Sequence, residues 1–100
     1  MDRLSIEVIK GTNLYLRTGG KKNRQEQVKN MERFVAWIKT HHPEVTSLGQ
    51  LGRKHIAHFW RYNASCSKTY KRNYFYAIRY IWQQILHRNS EPPHYNKMTP

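Results

Sequence analysis

The stretch from Ser65 to Leu86, SCSKTYKRNYFYAIRYIWQQIL, predicts the longest amphipathic helix of the chain. At 100° per residue, its apolar residues recur at helical intervals. They are Tyr70, Tyr74, Ala77, Ile78, Ile81 and Ile85. The opposite stripe carries only basic and hydrogen-bonding side chains: Thr69, Arg72, Asn73, Tyr76, Arg79 and Gln83. Ser65 or Ser67 supplies a hydroxyl for an N-terminal cap. The pattern predicts a helix that packs inward through its aromatic residues and presents a face without carboxylates to a partner.

The charge of the chain favours an anionic polymer as that partner. Eighteen Lys and Arg oppose six Asp and Glu among 100 residues, a formal net charge of +12. No acidic residue lies between Val45 and Ser90. A surface whose charge serves only solubility usually mixes positive and negative side chains. Nucleic-acid binding is therefore favoured over a purely solubilising role. An anionic membrane is less favoured, because the outward faces lack large aliphatic side chains in pairs.

Length and cysteine usage limit the class of protein. One hundred residues predict one domain with a modest core. Cys66 is the only cysteine, so no internal disulfide is possible and a reducing cytoplasm is expected. No run approaches the roughly 18–20 apolar residues of a membrane span.

Three further helices are predicted. Residues 2–17 alternate like a strand at Leu4, Ile6 and Val8, but a short helix is favoured, with Gly11 as its weak point. Gly19 and Gly20 end this segment, and Lys21 and Lys22 follow in a loop.

The second helix is predicted to open with a capping box from Asn23 to Glu26 and to stop at Pro43. Its inner stripe is Val28, Met31, Phe34, Val35 and Ile38, and its far face holds Glu26, Lys29, Asn30, Arg33, Trp37 and Thr40.

A third helix is predicted at about Arg53 to Tyr62, with Ile56, Phe59 and Trp60 inside and a late start after Gly52. Leu48 and Leu51 tuck inward before it. The fold expected is therefore all-α, a compact four-helix bundle. Its divisions are an N-terminal helical segment (1–20), a DNA-binding core (21–90) and a Pro-rich flexible tail or linker (91–100).

Residues 20–93 resemble the N-terminal core-binding domain, also called SAM-like, of the tyrosine recombinases, the phage integrase family. Three pieces carry the resemblance: the run Phe34–Ile38, the connection and helix from Ser47 to Trp60, and the capped helix that begins at Ser67-Lys68-Thr69. In that family the domain grips duplex DNA with its first and last core helices. The resemblance implies DNA contacts from Lys21, Lys22, Arg24, Lys29, Arg33, Lys68, Thr69, Arg72, Tyr76 and Arg79. The helical projection independently selects nearly the same residues. The full predicted interface also includes Arg53, Lys54, Lys71 and Gln83.

The family's catalytic arginines, lysine, His-x-x-Arg motif and tyrosine nucleophile have no counterpart here. The chain is therefore expected to be no enzyme, to need no cofactor and to bind double-stranded DNA. It would be either a recombinase fragment, working with a catalytic domain in the same or another chain, or a stand-alone regulatory or architectural protein of a mobile element. A basic protein-interaction bundle is the third alternative. The resemblance implies a bacterial or phage-associated, nucleoid location.

Two further chemistries are weighed and set aside. His55 and His58 are three residues apart and His41 adjoins His42, but Cys66 is the only thiol and no acidic ligand is expected nearby, so no metal site is predicted. Cys66 lies at a helix N-terminus without an orienting acid, so it is not predicted to be a nucleophile.

Overall fold

The computed structural model describes residues 3–17 and 21–95, and within them the chain is all-helical. Its four α-helices are α1 (Arg3–Arg17), α2 (Lys21–His41), α3 (Arg53–Tyr62) and α4 (Lys68–Arg79). A 3₁₀ turn (Leu48–Gln50) precedes α3, and a π-helical turn (Tyr80–Ile85) continues α4. The described residues contain no strand, which confirms the all-α prediction. Among them, no helix is both long enough and apolar enough to cross a membrane.

One core joins the helices. Val28, also predicted inward, is only half-buried, but the other predicted inward residues of α2, α3 and the connection are buried: Met31, Phe34, Val35, Ile38, Leu48, Leu51, Ile56, Phe59 and Trp60. Tyr74, Ala77, Ile78 and Ile81 are buried as the projection predicts, and Phe75 and Trp82 join them although they lie off the predicted stripe. The ring of Phe59 lies 5.0 Å from that of Phe34 and 5.4 Å from that of Tyr74. Aromatic contacts therefore connect α2, α3 and α4 through their centre.

The helix predicted for residues 2–17 is confirmed, but Gly11 is not simply its weak point. A Cβ atom on Gly11 would lie 2.7 Å from side-chain carbons of Ile85. The hydroxyl of Tyr80 also donates to the Gly11 carbonyl at 3.3 Å. Glycine at this position lets α1 approach the π-helical turn closely.

The second helix begins earlier than predicted. Lys21 and Lys22 form the first turn of α2 rather than a loop. The side chains of residues 21–23 lie outside the described part, as do Gly19 and Gly20, so the predicted capping box and C-cap are not described. Asn30 is buried and Trp37 is half-buried, which corrects their placement on the outer face.

Two helix starts have clear local causes. The third helix begins at Arg53, without the predicted delay: Gly52 has no capping side chain, but His55 Nδ1 reaches back and accepts the Gly52 N–H at 2.8 Å, as the second half of a capping box does. Ser67 caps α4, since its hydroxyl oxygen accepts the Tyr70 N–H at 3.1 Å. Of the two predicted caps, Ser67 is therefore the one used.

The predicted single helix 65–86 changes its winding near its end. The Leu86 N–H donates to the Ile81 carbonyl at 2.9 Å, five residues back, which is the π-helical pattern. His87 then adopts a left-handed φ of 55° and the Arg88 N–H donates to the Trp82 carbonyl at 3.2 Å. This closing geometry is the one in which helices commonly use glycine.

Residues 91–95 pack on the bundle, although the sequence places them in a flexible tail. Trp60 Nε1 donates to the Pro93 carbonyl at 2.9 Å, and the Tyr95 ring lies 5.5 Å from that of Trp60. The His94 ring lies 4.6 Å from that of Phe75. The remainder of the predicted tail, 96–100, lies outside the described residues.

Candidate nucleic-acid interface

An open cleft of about 1030 Å³ runs between the outer edges of α2 and α4. The inner edges of the two helices are held together by the aromatic core, which leaves their polar edges to form the walls. Helix α2 contributes Glu26, Gln27, Asn30 and Arg33. Helix α4 and the π-helical turn contribute Tyr70, Arg72, Asn73, Tyr74, Tyr76, Arg79, Tyr80, Gln83 and Gln84. The cleft therefore brings together five of the predicted contact residues: Arg33, Arg72, Tyr76, Arg79 and Gln83.

Three arginines supply the positive charge of the cleft. Arg33 is exposed on α2, and its Nη1 donates to Asn30 Oδ1 at a long 3.4 Å. Arg72 is exposed on α4. The Arg79 guanidinium carbon lies 5.4 Å from the Tyr76 ring centre and 5.7 Å from that of Phe75. These cation–π contacts orient Arg79 while Tyr76 itself stays 44% exposed.

Gln83 is already engaged by the chain. Its Nε2 donates to the Ser90 carbonyl at 3.3 Å and to Glu91 Oε1 at 3.4 Å. A ligand that uses this amide must replace two long hydrogen bonds, so a contact with Gln83 adds less binding free energy than a contact with one of the arginines.

One carboxylate lines the cleft. The stripe on α4 carries no acid, as the sequence predicts, but Glu26 of α2 faces it across the cleft. Lys29 Nζ lies 3.7 Å from Glu26 Oε1 and offsets part of that charge. With three arginines against this one carboxylate, the lining keeps a positive balance.

The other predicted contact residues whose side chains are described do not line the cleft. Lys68 and Thr69 are exposed in the first turn of α4, and Lys54 is exposed on α3. The Lys71 amine donates to the Ala64 carbonyl at 2.7 Å, which ties it to the preceding turn. The Arg53 guanidinium lies 5.6 Å from the Trp82 ring centre.

Arg24 and Lys29 are on α2 but do not line the cleft. The side chains of Lys21 and Lys22 lie outside the described residues. Among the described side chains the predicted interface is thus divided, with one group in the cleft and the others outside it on α2, on α3 and at the start of α4.

The sequence analysis missed the tyrosines that lie at the margin of core and cleft. Tyr70 and Tyr80 were assigned to the interior or left unassigned, yet both line the cleft. Burial, with the neighbouring Tyr74, raises the pKa of the Tyr70 phenol to about 12. Its hydroxyl donates to Asn63 Oδ1 at 3.4 Å. A half-buried aromatic residue satisfies the inner stripe and still exposes an edge, so periodicity alone could not separate the two roles.

A histidine cluster occupies another part of the molecule, between the end of α2 and the start of α3. Glu44 Oε2 lies 3.3 Å from His42 Nδ1 and 3.4 Å from His55 Nε2. His42 Nε2 lies 2.8 Å from His58 Nδ1. The sequence argument against a metal assumed that no acidic ligand lay near these histidines, and Glu44 corrects that assumption.

The environment of this cluster favours the neutral forms of His55 and His58 and an ionised Glu44 carboxylate. Burial, then the charge of His42, lowers the pKa of His55 and of His58. The Glu44 backbone N–H lowers the pKa of the Glu44 carboxyl, desolvation opposes it, and the neighbouring His42 and His55 add to the lowering. These protonation states are the ones that metal coordination needs.

No protein-family model, curated protein or solved structure matches this chain. The argument for function therefore depends on the geometry and chemistry of the residues themselves.

Proposed function

We propose that the chain binds double-stranded DNA through the cleft between α2 and α4, as the DNA-gripping module of a site-specific recombinase or DNA-integration protein. The observation that supports this most is the convergence of Arg33, Arg72 and Arg79 on one cleft from two helices. These three arginines were selected from sequence on two different helices, and they line the same cleft.

The chemistry of the cleft suits a duplex. Arginine binds phosphate oxygens and forks onto guanine, while Asn and Gln amides match adenine. Asn73 stands beside Arg72 on the exposed edge of α4. A helix about 10–12 Å across fits a major groove about 12 Å wide. In this arrangement the edge of α4 reads the groove and Arg33 holds the adjacent phosphates.

The assignment to recombination depends on the resemblance of residues 20–93 to the core-binding domain of tyrosine recombinases. A stand-alone regulatory or architectural DNA-binding protein of a mobile element would use the same cleft without a catalytic partner. Adding a recombinase catalytic domain to the chain on a candidate half-site duplex separates these two, since only the first predicts cooperative assembly on that DNA.

The DNA-binding proposal is tested by fluorescence anisotropy with a labelled duplex over a range of salt concentrations. We expect Arg72→Ala and Arg79→Ala each to weaken binding about tenfold, because each removes a charge-assisted contact. A variant that loses a phosphate contact should also reduce the slope of the logarithm of the binding constant against the logarithm of salt concentration, by about 0.9. Arg61→Ala is the matched control, because Arg61 is exposed on α3 and lies outside the cleft.

Equal losses in all three variants would show that only net charge matters and would remove the cleft from the proposal. Unchanged binding in the two cleft variants would do the same. The tyrosine-rich lining also makes single-stranded DNA a necessary competitor, because bases stack on aromatic side chains. Tighter binding of a single strand than of the duplex would contradict the double-stranded assignment.

A further inference from the structure

We propose that His42, Glu44 and His55 form a binding site for Zn²⁺, or a similar late first-row divalent ion, which joins the end of α2 to the first turn of α3. This site is independent of the cleft and of DNA binding. Its ligands come from two helix ends and the turn that follows Pro43, so an ion there would fix the connection between α2 and α3.

The distances from Glu44 to the two histidines are closer to those of coordination than to those of hydrogen bonding. Zinc holds nitrogen and oxygen ligands at about 2.0–2.1 Å, so neighbouring corners of its tetrahedron are about 3.3–3.4 Å apart. The distances from Glu44 Oε2 to His42 Nδ1 and His55 Nε2 are 3.3 and 3.4 Å. A charge-assisted hydrogen bond would be shorter, about 2.7–2.9 Å. The three ligand atoms lie within 4.8 Å of one another, so a small movement closes the set.

His55 provides an independent sign of a missing ligand. Its side chain is only 4% exposed and its Nε2, which faces Glu44, has no hydrogen-bond partner of proper geometry. A buried polar atom left in this way is costly. An ion bound between His55 and Glu44 would satisfy it. Glu44 is 60% exposed, which leaves an entry path and a fourth position for water.

The hydrogen bonds around His42 favour metal coordination, whereas His55 must lose a hydrogen bond in order to coordinate. His42 Nε2 lies 2.8 Å from His58 Nδ1, the outer hydrogen bond that orients a metal-bound histidine. His55 Nδ1 instead accepts the Gly52 N–H at 2.8 Å. Coordination through Nε2 places the ring proton on Nδ1, so the ion must displace that N–H. Because Gly52 is half-buried, a water molecule can accept the Gly52 N–H in place of His55 Nδ1. The lost bond lowers affinity by up to about tenfold.

The donor set selects the ion. Two imidazoles and one carboxylate suit Zn²⁺ and its neighbours Co²⁺, Ni²⁺ and Cu²⁺, whereas Mg²⁺ and Ca²⁺ prefer oxygen ligands only. Magnesium is therefore the negative control among ions.

The test is calorimetric titration of the untagged, chelator-treated full chain with ZnCl₂ at pH 7.5, with Co²⁺ absorption as the measure of geometry. We expect one ion per chain, intense tetrahedral Co²⁺ bands and a rise in melting temperature. Glu44→Gln should weaken binding at least tenfold, and it should not unfold the chain because Glu44 is exposed. His55→Asn is the second ligand variant, and Glu91→Gln and His94→Ala are matched controls that should bind as the parent does.

NMR supplies a readout that a surface histidine would not give. Zinc should shift the ring signals of His42 and His55, and it should speed hydrogen exchange at the Gly52 amide as that N–H is released. Absence of saturable binding, unchanged affinity in Glu44→Gln, or shifts confined to other histidines would each overturn the site.

Discussion

Tyr70 is the residue whose surroundings make the clearest prediction about pH. Its pKa is raised from 10.0 to about 12, first by burial and then by Tyr74. As the pH rises, the unfolded chain therefore loses this phenolic proton before the folded chain does. The stability from Tyr70 is complete below about pH 10 and declines between pH 10 and 12.

This prediction is checked by urea unfolding at pH 9 and pH 11, together with phenolate absorption. We expect Tyr70→Phe to lose a part of the absorption change that is centred at about pH 12 and to show a smaller drop in stability between the two pH values. The substitution Tyr62→Phe is the control, because Tyr62 is 60% exposed. An identical pH response in the two variants would contradict the assigned environment.

Trp37 shows where a helical projection fails at the scale of one residue. The projection places it on the outer face of α2, yet its ring lies 5.2 Å from that of Phe59 and 4.3 Å from that of His41. A helical projection gives the direction of a residue around the helix axis but not the length of its side chain. A large side chain at the boundary between the inner and outer faces can therefore still pack against the core. The smaller residues of the same helix, such as Val35 and Ile38, are buried where the sequence predicts.

At the scale of the helices, α1 and the π-helical turn approach so closely at Gly11 that adding one methyl group there should change the stability of the chain. Alanine is the better helix former by about 1 kcal/mol. The added Cβ would however lie 2.7 Å from Ile85, and overpacking costs about 1–3 kcal/mol. We expect Gly11→Ala to destabilise the chain by about 1 kcal/mol net, measured by urea unfolding.

Shortening the opposing side chain should reverse that sign. In an Ile85→Ala background, Gly11→Ala is expected to be neutral or stabilising, because the contact is gone and the helix propensity remains. Gly49→Ala is the matched control, since its nearest atom would be Ser47 Oγ at an ordinary 3.7 Å. A destabilisation by Gly11→Ala that persists without Ile85 would contradict this account.

The helices were largely predictable and the cleft was only partly so. Periodicity identified the faces of α2 and α4 because apolar residues recur there at helical spacing over several turns. The Ser67 hydroxyl marked where α4 begins. That the two faces share one cleft depends on how the helices cross, which no local pattern states. The turn at Tyr80–Ile85 was also missed, because the residues of a π-helical turn do not differ in composition from those of an α-helix.

At the scale of the whole molecule, residues 91–95 hold the surface of the bundle over α3 and α4. Ending the chain after Ser90 removes the acceptor of Trp60 Nε1 and the rings on Trp60 and Phe75. One part-buried hydrogen bond and three aromatic contacts predict a loss of roughly 2 kcal/mol in the free energy of unfolding. Tryptophan emission should move to longer wavelength as Trp60 meets water.

A chain that ends after Tyr95 is the control for this truncation, because it keeps every described contact. We expect it to unfold at the urea concentration of the full chain. If the two truncated chains were equally stable, residues 91–95 would not contribute to holding the bundle together.

Tyr74 forms part of the cleft lining, and its ring is supported from behind by Phe59. Phe59 also touches Phe34, which adjoins Arg33 in sequence. A phenyl ring of α3, a helix that contributes nothing to the lining, thus contacts both helices that carry the arginines. A change of volume at Phe59, far from any bound molecule, would alter the width of ligand that the protein accepts. Selectivity in this architecture can therefore evolve from its interior.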